Sequence, residues 1–132
     1  MSLHHEAGDV CPLCEAKLET AHPDLVLWFR RVKKRHINVH ISWAFRGQED
    51  QNKMYLEGKT NATFGKSPHN YMEDGKKRSK ALDLFLLDED GVARFPPMFY
   101  AKLNAENEAD KEPLKWGGKF KSFGDANHFE LA

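Results

Sequence analysis

The sequence predicts an α+β domain in which helices pack on a small antiparallel sheet. Segments with apolar residues at helical spacing alternate with short apolar or alternating segments of strand character. An Asp-Gly turn between two of the apolar segments is typical of an antiparallel hairpin. The 132 residues correspond to one domain with a substantial core.

The first predicted helix begins at His22-Pro23-Asp24, with proline in the first turn and an acid at the positive end of the helix dipole. Apart from Val32, residues 30–35 are basic, and no aromatic residues are interleaved with them. Because the net charge is also zero, we expect a solvated face and no nucleic-acid partner. The predicted buried stripe contains Leu25, Trp28, Phe29, Val32 and His36.

A strand and a helix are predicted next. Residues 37–43 alternate apolar and polar side chains, which indicates a half-buried strand. Residues 48–57 have a helical pattern, and Gly58 is a typical residue to end it.

A strong strand is predicted at residues 80–87, which are nearly all apolar apart from Asp83. The turn at residues 88–91 returns the chain antiparallel through residues 92–95. A buried carboxylate needs a partner such as a cation or a metal ion, so Asp83 is a candidate functional residue.

The last predicted elements are a helix at residues 98–109 and a strand at the end of the chain. The alternation His128-Phe129-Glu130-Leu131 indicates that this strand packs into the fold. The helix is predicted to turn Met98, Tyr100, Ala101 and Leu103 toward the core.

Residues 1–21 are polar and without period, so we predict a flexible leader before a domain at residues 22–132. The leader carries Cys11 and Cys14 in a CxxC motif, the two cysteines of the chain, with three histidines nearby (His4, His5 and His22). One CxxC pair does not close a tetrahedral zinc site, so two reduced thiols are expected. A second metal or a redox role remains the alternative.

The composition excludes several classes of partner. The chain has 20 basic and 20 acidic residues, so it has no overall attraction to nucleic acid or anionic membranes. No apolar run has the length of a membrane span, and the start of the chain lacks the order of a signal peptide. We therefore expect synthesis in the cytosol without membrane insertion.

Three residues form a candidate metal site. His69 follows a proline-containing loop, Asp83 interrupts the strongest strand, and His128 lies on the last strand. Two imidazoles and one carboxylate suit zinc with one position left open for water. Spacing alone does not establish the site, because a single histidine is more often packed or solvated than a ligand.

Three blocks of sequence, in this order, carry a resemblance to a known family. They are Ser67-Pro68-His69-Asn70-Tyr71, Ala81-Leu82-Asp83-Leu84, and Trp116-Gly117-Gly118 followed by Asp125-Ala126-Asn127-His128-Phe129-Glu130. They resemble the VanY-like D-Ala-D-Ala carboxypeptidase and L-Ala-D-Glu endopeptidase family of zinc metallopeptidases, most closely its phage endolysins. The resemblance covers residues 22–132 and implies the fold of hedgehog and D-Ala-D-Ala peptidase domains.

The resemblance implies a role for each matching residue. His69, Asp83 and His128 would bind one zinc ion, and Asp125 would act as the general base. Arg46 would hold the substrate carbonyl and the developing oxyanion. Ser67 and Trp116 match positions that shape the site.

One segment departs from the family pattern. Residues 72–78 are inserted between the first histidine and the aspartate, and Ser79 stands where the family has glycine. The insertion is polar and contains Gly75, so we expect it to project outward and leave the site intact. Its basic residues 76–78 are expected to be merely solvated, with attraction to anionic cell-wall polymers as the alternative.

The implied function is hydrolysis of an amide bond in the peptide stem of bacterial peptidoglycan, with the L-Ala-D-Glu bond favoured. D-Ala-D-Ala carboxypeptidase activity is the alternative with the same chemistry. A non-catalytic zinc-stabilised binding domain is disfavoured, because a structural site has no need of Asp125 and Arg46. We expect a monomeric phage endolysin that accumulates in the host bacterial cytoplasm and acts on the cell wall after release.

Overall fold

The computed structural model describes residues 10–60, 62–110, 113–119 and 126–132. The helices are α1 (Pro12–Leu18), α2 (Pro23–Arg35), α3 (Gln48–Leu56) and α4 (Pro97–Glu108), with short 3-10 turns at Pro68–Asn70 and Gly117–Lys119. The strands are β1 (Val39–Trp43), β2 (Met72–Glu73), β3 (Lys76–Lys77), β4 (Ala81–Leu87), β5 (Ala93–Arg94), β6 (Lys115–Trp116) and β7 (His128–Glu130).

The main sheet is antiparallel and has β4 at its centre. The strand order is β1-β4-β7-β6, and β5 pairs with the end of β4. The first four residues of β4 are buried, as expected for a strand with neighbours on both sides and cover on both faces. With four helices and this sheet, the structure confirms the predicted α+β class.

Helix α2 supplies much of the core. Four apolar side chains of its predicted stripe are buried, and the rings of Trp28 and Phe129 lie 5.1 Å apart, so the helix packs directly on β7. His36 differs from the prediction: it is half-buried, and its Nε2 lies 3.0 Å from Glu106 Oε1. The helix begins as predicted, with the backbone N–H of Asp24 donating to His22 Nδ1 at 3.1 Å.

Helix α4 buries a different stripe from the one predicted. Tyr100 and Leu103 are buried, but Met98 is 85% exposed and Ala101 is exposed. The inward positions are Tyr100, Leu103, Asn104 and Asn107, which follow the i, i+3, i+4, i+7 pattern of one helix face. Met98 lies two positions before Tyr100, or about 200° around the helix, and so faces solvent.

From residue 10 onward, the segment predicted as a leader over residues 1–21 contains α1, which packs against the rest of the domain. Cys14 and Leu18 are each 3% exposed because their i, i+4 spacing places both on one face of α1, which packs on β1. Lys17 Nζ donates to Ile41 O at 2.8 Å, which fixes α1 to β1. A second contact fixes the N-terminal segment: the backbone N–H of Ser79 donates to Thr20 O at 2.8 Å.

The inserted residues 72–78 form an exposed hairpin. Strands β2 and β3 pair antiparallel, and Asp74 and Gly75 between them have φ of 52° and 77°. Two successive residues with positive φ are what a two-residue type I′ hairpin requires. The insertion therefore projects outward as expected, as a regular element.

Within the described ranges, no helix has both the length and the apolar character needed to cross a membrane.

Candidate metal centre

The structure brings together the three residues predicted as zinc ligands. Antiparallel pairing of β4 and β7 places Asp83 directly opposite His128, and the 3-10 turn at Pro68–Asn70 delivers His69 from the side. His69 Nε2 lies 3.2 Å from Asp83 Oδ1 and 3.3 Å from His128 Nδ1. The third edge, from His128 Nδ1 to Asp83 Oδ1, is 2.8 Å.

This geometry fits a metal ion. Two nitrogen ligands of a tetrahedral zinc ion are separated by about 3.3 Å, given zinc–nitrogen bonds of about 2.0–2.1 Å. The two histidine nitrogens are 3.3 Å apart. All three side chains are buried, which leaves few alternatives to a cation for a cluster of acceptor atoms. The donor set, two imidazoles and one carboxylate, is one that zinc accepts in catalytic sites.

His69 is oriented by its other ring nitrogen. Nδ1 lies 2.7 Å from Ala44 O, which accepts only if Nδ1 carries the proton. Nε2 is then the nitrogen with the free lone pair, and it faces the cluster. Ser67, predicted to shape the site, caps the turn by accepting from the N–H of His69 at 3.2 Å, so it acts through the position of the ligand.

His128 has an equivalent support. Its Nε2 lies 2.9 Å from Glu130 Oε1, two residues along the same strand and on the same face. With Nε2–H donating to this carboxylate, Nδ1 is left deprotonated toward the cluster. A carboxylate behind a ligating histidine orients the ring and raises its basicity.

Asp83 is held in the ionised state. Without a metal ion, burial raises the pKa of its carboxyl, but the charge of protonated His69 and hydrogen bonds donated by both histidines outweigh burial and bring the pKa well below its ordinary value. A metal ion would take the place of these protons. Arg46 Nη2 also donates to Asp83 Oδ2 at 3.1 Å. Oδ2 is thus engaged by the guanidinium, while Oδ1 faces the two histidines.

Arg46 is itself fixed in place and only 3% exposed. Its Nη1 donates to Gln51 Oε1 at 3.1 Å, and its guanidinium lies 4.8 Å from the centre of the Trp43 ring. The structure therefore shows Arg46 as a partner of the Asp83 carboxylate. Its predicted contact with a substrate carbonyl stays a prediction.

Two further polar residues support the centre and were missed by sequence reasoning. Gln51 is fully buried, and Asn70 Nδ2 donates to Arg46 O at 2.8 Å and to Gln51 Oε1 at 3.3 Å. Gln51 carried no sequence signal, because glutamine is usually an exposed residue. Asn70 and Glu130 each lie within two residues of a predicted ligand, inside the sequence blocks that resemble the known family. Their positions were therefore a sequence signal for a supporting role.

Trp116 lies at the edge of the sheet rather than among the three ligands. It is half-buried, and its indole N–H donates to Ala126 O at 2.7 Å, which ties β6 to the chain just before β7. A Cβ at Gly118 would overlap the Trp116 ring, which explains a glycine at this position of the Trp-Gly-Gly block. Asp125, the predicted general base, lies outside the described residues.

Comparisons with known proteins support the fold. No protein-family model matches the chain. Among solved structures, the chain is similar to the crystal structure of Serratia marcescens L-Ala D-Glu endopeptidase ChiX, with a TM-score of 0.70 and 23% sequence identity. The match covers 90% of this chain and 86% of the other. The similarity shows a shared fold, and the structurally similar protein is a peptidase.

Proposed function

We propose that this chain is a zinc-dependent peptidase that hydrolyses an amide bond in the peptide stem of bacterial peptidoglycan, with the L-alanyl-D-glutamate bond as the favoured site. The observation that carries the proposal is the convergence of His69, Asp83 and His128 in one buried cluster. The fold shared with ChiX, an L-Ala D-Glu endopeptidase, and the three sequence blocks that resemble the zinc peptidase family support the proposal.

The described residues would hold the ion and leave one position open. When bound, zinc would act as a Lewis acid and lower the pKa of a coordinated water to about 7. Asp83 offers Oδ1 as an anionic ligand because Arg46 engages Oδ2. His69 and His128 offer one nitrogen each because Ala44 O and Glu130 engage their other nitrogens.

We assign the proton transfers to Asp125, on the sequence resemblance. A carboxylate beside the open position accepts a proton from the attacking water and returns it to the leaving amine. A catalytic site needs such a base, whereas a structural zinc site does not. Asp125→Ala should therefore keep zinc and lose turnover.

The test is digestion of purified peptidoglycan followed by mass spectrometry of the released muropeptides. We expect products cut between L-alanine and D-glutamate, lost on chelation and restored by added zinc. Release of terminal D-alanine would assign a carboxypeptidase instead. A zinc-loaded protein that binds but does not cut peptidoglycan would contradict the proposed activity.

The biological setting follows from the resemblance to phage endolysins. We propose that the peptidase lyses bacteria from within, after release from the host cytoplasm. Added to cells stripped of their outer membrane, the protein should lower turbidity, and a chelator or Asp125→Ala should prevent this. Asp90→Ala, at an exposed turn residue, is the matched control and should lyse normally.

A further inference from the structure

A second cluster of metal-ligand side chains lies outside the proposed catalytic centre. Cys11 lies just before α1 and Cys14 in its first turn, and His40 lies on β1. One ligand atom from each lies within 4.8 Å of the others. None of the three has a place in the proposed hydrolysis.

The distances in this cluster match those of a tetrahedral zinc site. His40 Nδ1 lies 3.6 Å from Cys11 Sγ and 3.6 Å from Cys14 Sγ. A sulfur and a nitrogen bound to the same tetrahedral zinc ion are separated by about 3.5 Å, given bonds of about 2.3 and 2.0–2.1 Å. His40 Nδ1 therefore lies where a third ligand would bind a zinc ion that is held by the two sulfurs.

The surroundings suit thiolate ligands. The backbone N–H of Ile41 donates to Cys14 Sγ at 3.3 Å, a contact that stabilises negative charge on sulfur. The ammonium groups of Lys17 and Lys33 lie near enough to interact with the Cys14 thiol, and both are fixed on carbonyls of the segment at residues 37–42. The His40 ring stacks on Phe85 at 5.5 Å, which restricts its rotation.

We propose that Cys11, Cys14 and His40 bind a second zinc ion, which holds α1 on β1. Two thiolates and one imidazole are soft and borderline ligands, the set that selects zinc among common divalent ions. Binding releases the protons of the two thiols. Water would complete the coordination. The inference does not rest on the proposed peptidase activity.

A redox role for the two cysteines is the competing use of a CxxC motif. Reactive cysteines lie in partly exposed positions, whereas Cys14 is 3% exposed and packed in the core beside Leu18. Burial of this kind suits a structural site. A disulfide between Cys11 and Cys14 is the outcome that would distinguish the redox role.

The experiment uses the full chain purified under reducing conditions. Elemental analysis should find two zinc ions per chain, and replacement by cobalt should produce the charge-transfer absorption of thiolate–cobalt bonds. Cys11→Ser, at a half-buried position that tolerates substitution better than Cys14, should lose one metal and this absorption. His40→Gln should weaken metal binding in the same way.

A variant of the first cluster separates the two sites. His128→Ala removes a ligand of the proposed catalytic centre and should leave one metal per chain with the thiolate–cobalt absorption intact. Wild-type protein without that absorption, or with a Cys11–Cys14 disulfide in its mass spectrum, would overturn the inference. Neither result would bear on peptidoglycan hydrolysis, so the two proposals fail independently.

Discussion

The two clusters of candidate metal ligands differ in where the fold places them and in how their side chains are supported. Asp83 and His128 lie at the pairing of two strands in the middle of the sheet, and a 3-10 turn delivers His69 from the side. Each of these ligands has a second partner in the protein: Ala44, Arg46 and Glu130 respectively. The thiol cluster joins a seven-residue helix to the adjacent strand, where the backbone N–H of Ile41 donates to Cys14 Sγ at 3.3 Å.

The two clusters also differ in charge before any metal binds. Burial raises the pKa of Asp83, but its histidine partners more than reverse this, so the carboxylate is ionised. Burial raises the pKa of the Cys14 thiol to about 11, so this ligand is protonated until a cation displaces the proton. The protein preorganises the first cluster, whereas the second would acquire its charge from the metal.

Asp83→Ala should cause the largest loss of stability and of peptidoglycan digestion. The change removes a proposed metal ligand and leaves a buried guanidinium without a carboxylate, at a cost of about 3–5 kcal/mol in the free energy of unfolding. Urea denaturation of metal-free protein measures this loss, and peptidoglycan digestion should fall below detection. If the variant folds, the thiolate–cobalt absorption of the second cluster should persist.

Asp83→Asn and Asp90→Ala are the controls for this prediction. The amide keeps the shape of the side chain but loses its charge, so stability should fall less than in Asp83→Ala while metal binding is still impaired. Asp90 is exposed, and its replacement should change stability by less than about 0.5 kcal/mol. Equal zinc content in Asp83→Ala and wild type would contradict the assignment of the first cluster.

Glu130→Ala should produce the next largest effect, confined to the first cluster. Loss of the carboxylate behind a ligating histidine weakens metal affinity by about 10–100-fold. Glu130→Gln keeps an acceptor for His128 Nε2–H and should weaken affinity less. Competition with a chromophoric chelator measures both affinities. An unchanged affinity in Glu130→Ala would show that the 2.9 Å contact does not position His128.

Most of the fold was predictable because its main elements have clear periodicity. Helix α2, strand β4 and its hairpin with β5, and the last strand β7 occur where the sequence predicted them. Helix α1 was missed because a helix of seven residues has little stability of its own and forms by packing on the sheet. The two-residue strand β6 is too short to produce a periodic pattern.

The three candidate ligands were predictable from the sequence, and the residues that support them were less so. The blocks around His69, Asp83 and His128 pointed to three side chains that the fold places together, and their role as metal ligands stays a prediction. The pairing of Arg46 with Asp83 was not predictable, because 37 residues separate them and their contact depends on the pairing of β1 with β4. The same holds for His40, whose meeting with the cysteines requires α1 to pack on β1.

Gly118→Ala tests whether the first cluster depends on the end of the sheet. The added methyl would overlap the Trp116 ring, which its hydrogen bond to Ala126 O keeps from moving away. Overpacking of this kind costs about 1–3 kcal/mol. Thermal unfolding and zinc content should both decrease, while the thiolate–cobalt absorption stays unchanged. Gly47→Ala, where a Cβ would meet nothing within 4 Å, is the control for glycine replacement.

The smallest expected change in stability concerns Glu106 and its partners His36 and Arg35. No metal ion is proposed there, so this group is a reference for how acid affects stability without a metal. Burial raises the pKa of Glu106, but hydrogen bonds from His36 and Arg35 outweigh it and lower the pKa below its ordinary value. A lowered carboxyl pKa stabilises the fold above the unfolded pKa of about 4.3, and this contribution is lost as the pH falls through the folded pKa.

Replacing Glu106 with Gln removes this dependence of stability on pH. Wild type should exceed Glu106→Gln in stability by about 1 kcal/mol or less near neutral pH, because Arg35 is about half exposed, and the difference should vanish in acid. Urea denaturation with a chelator present measures it at each pH. Any larger acid loss seen only in metal-loaded protein would then belong to the two clusters, whose ligands must lose protons to bind. A difference that grows as the pH falls would contradict the assigned direction of the Glu106 shift.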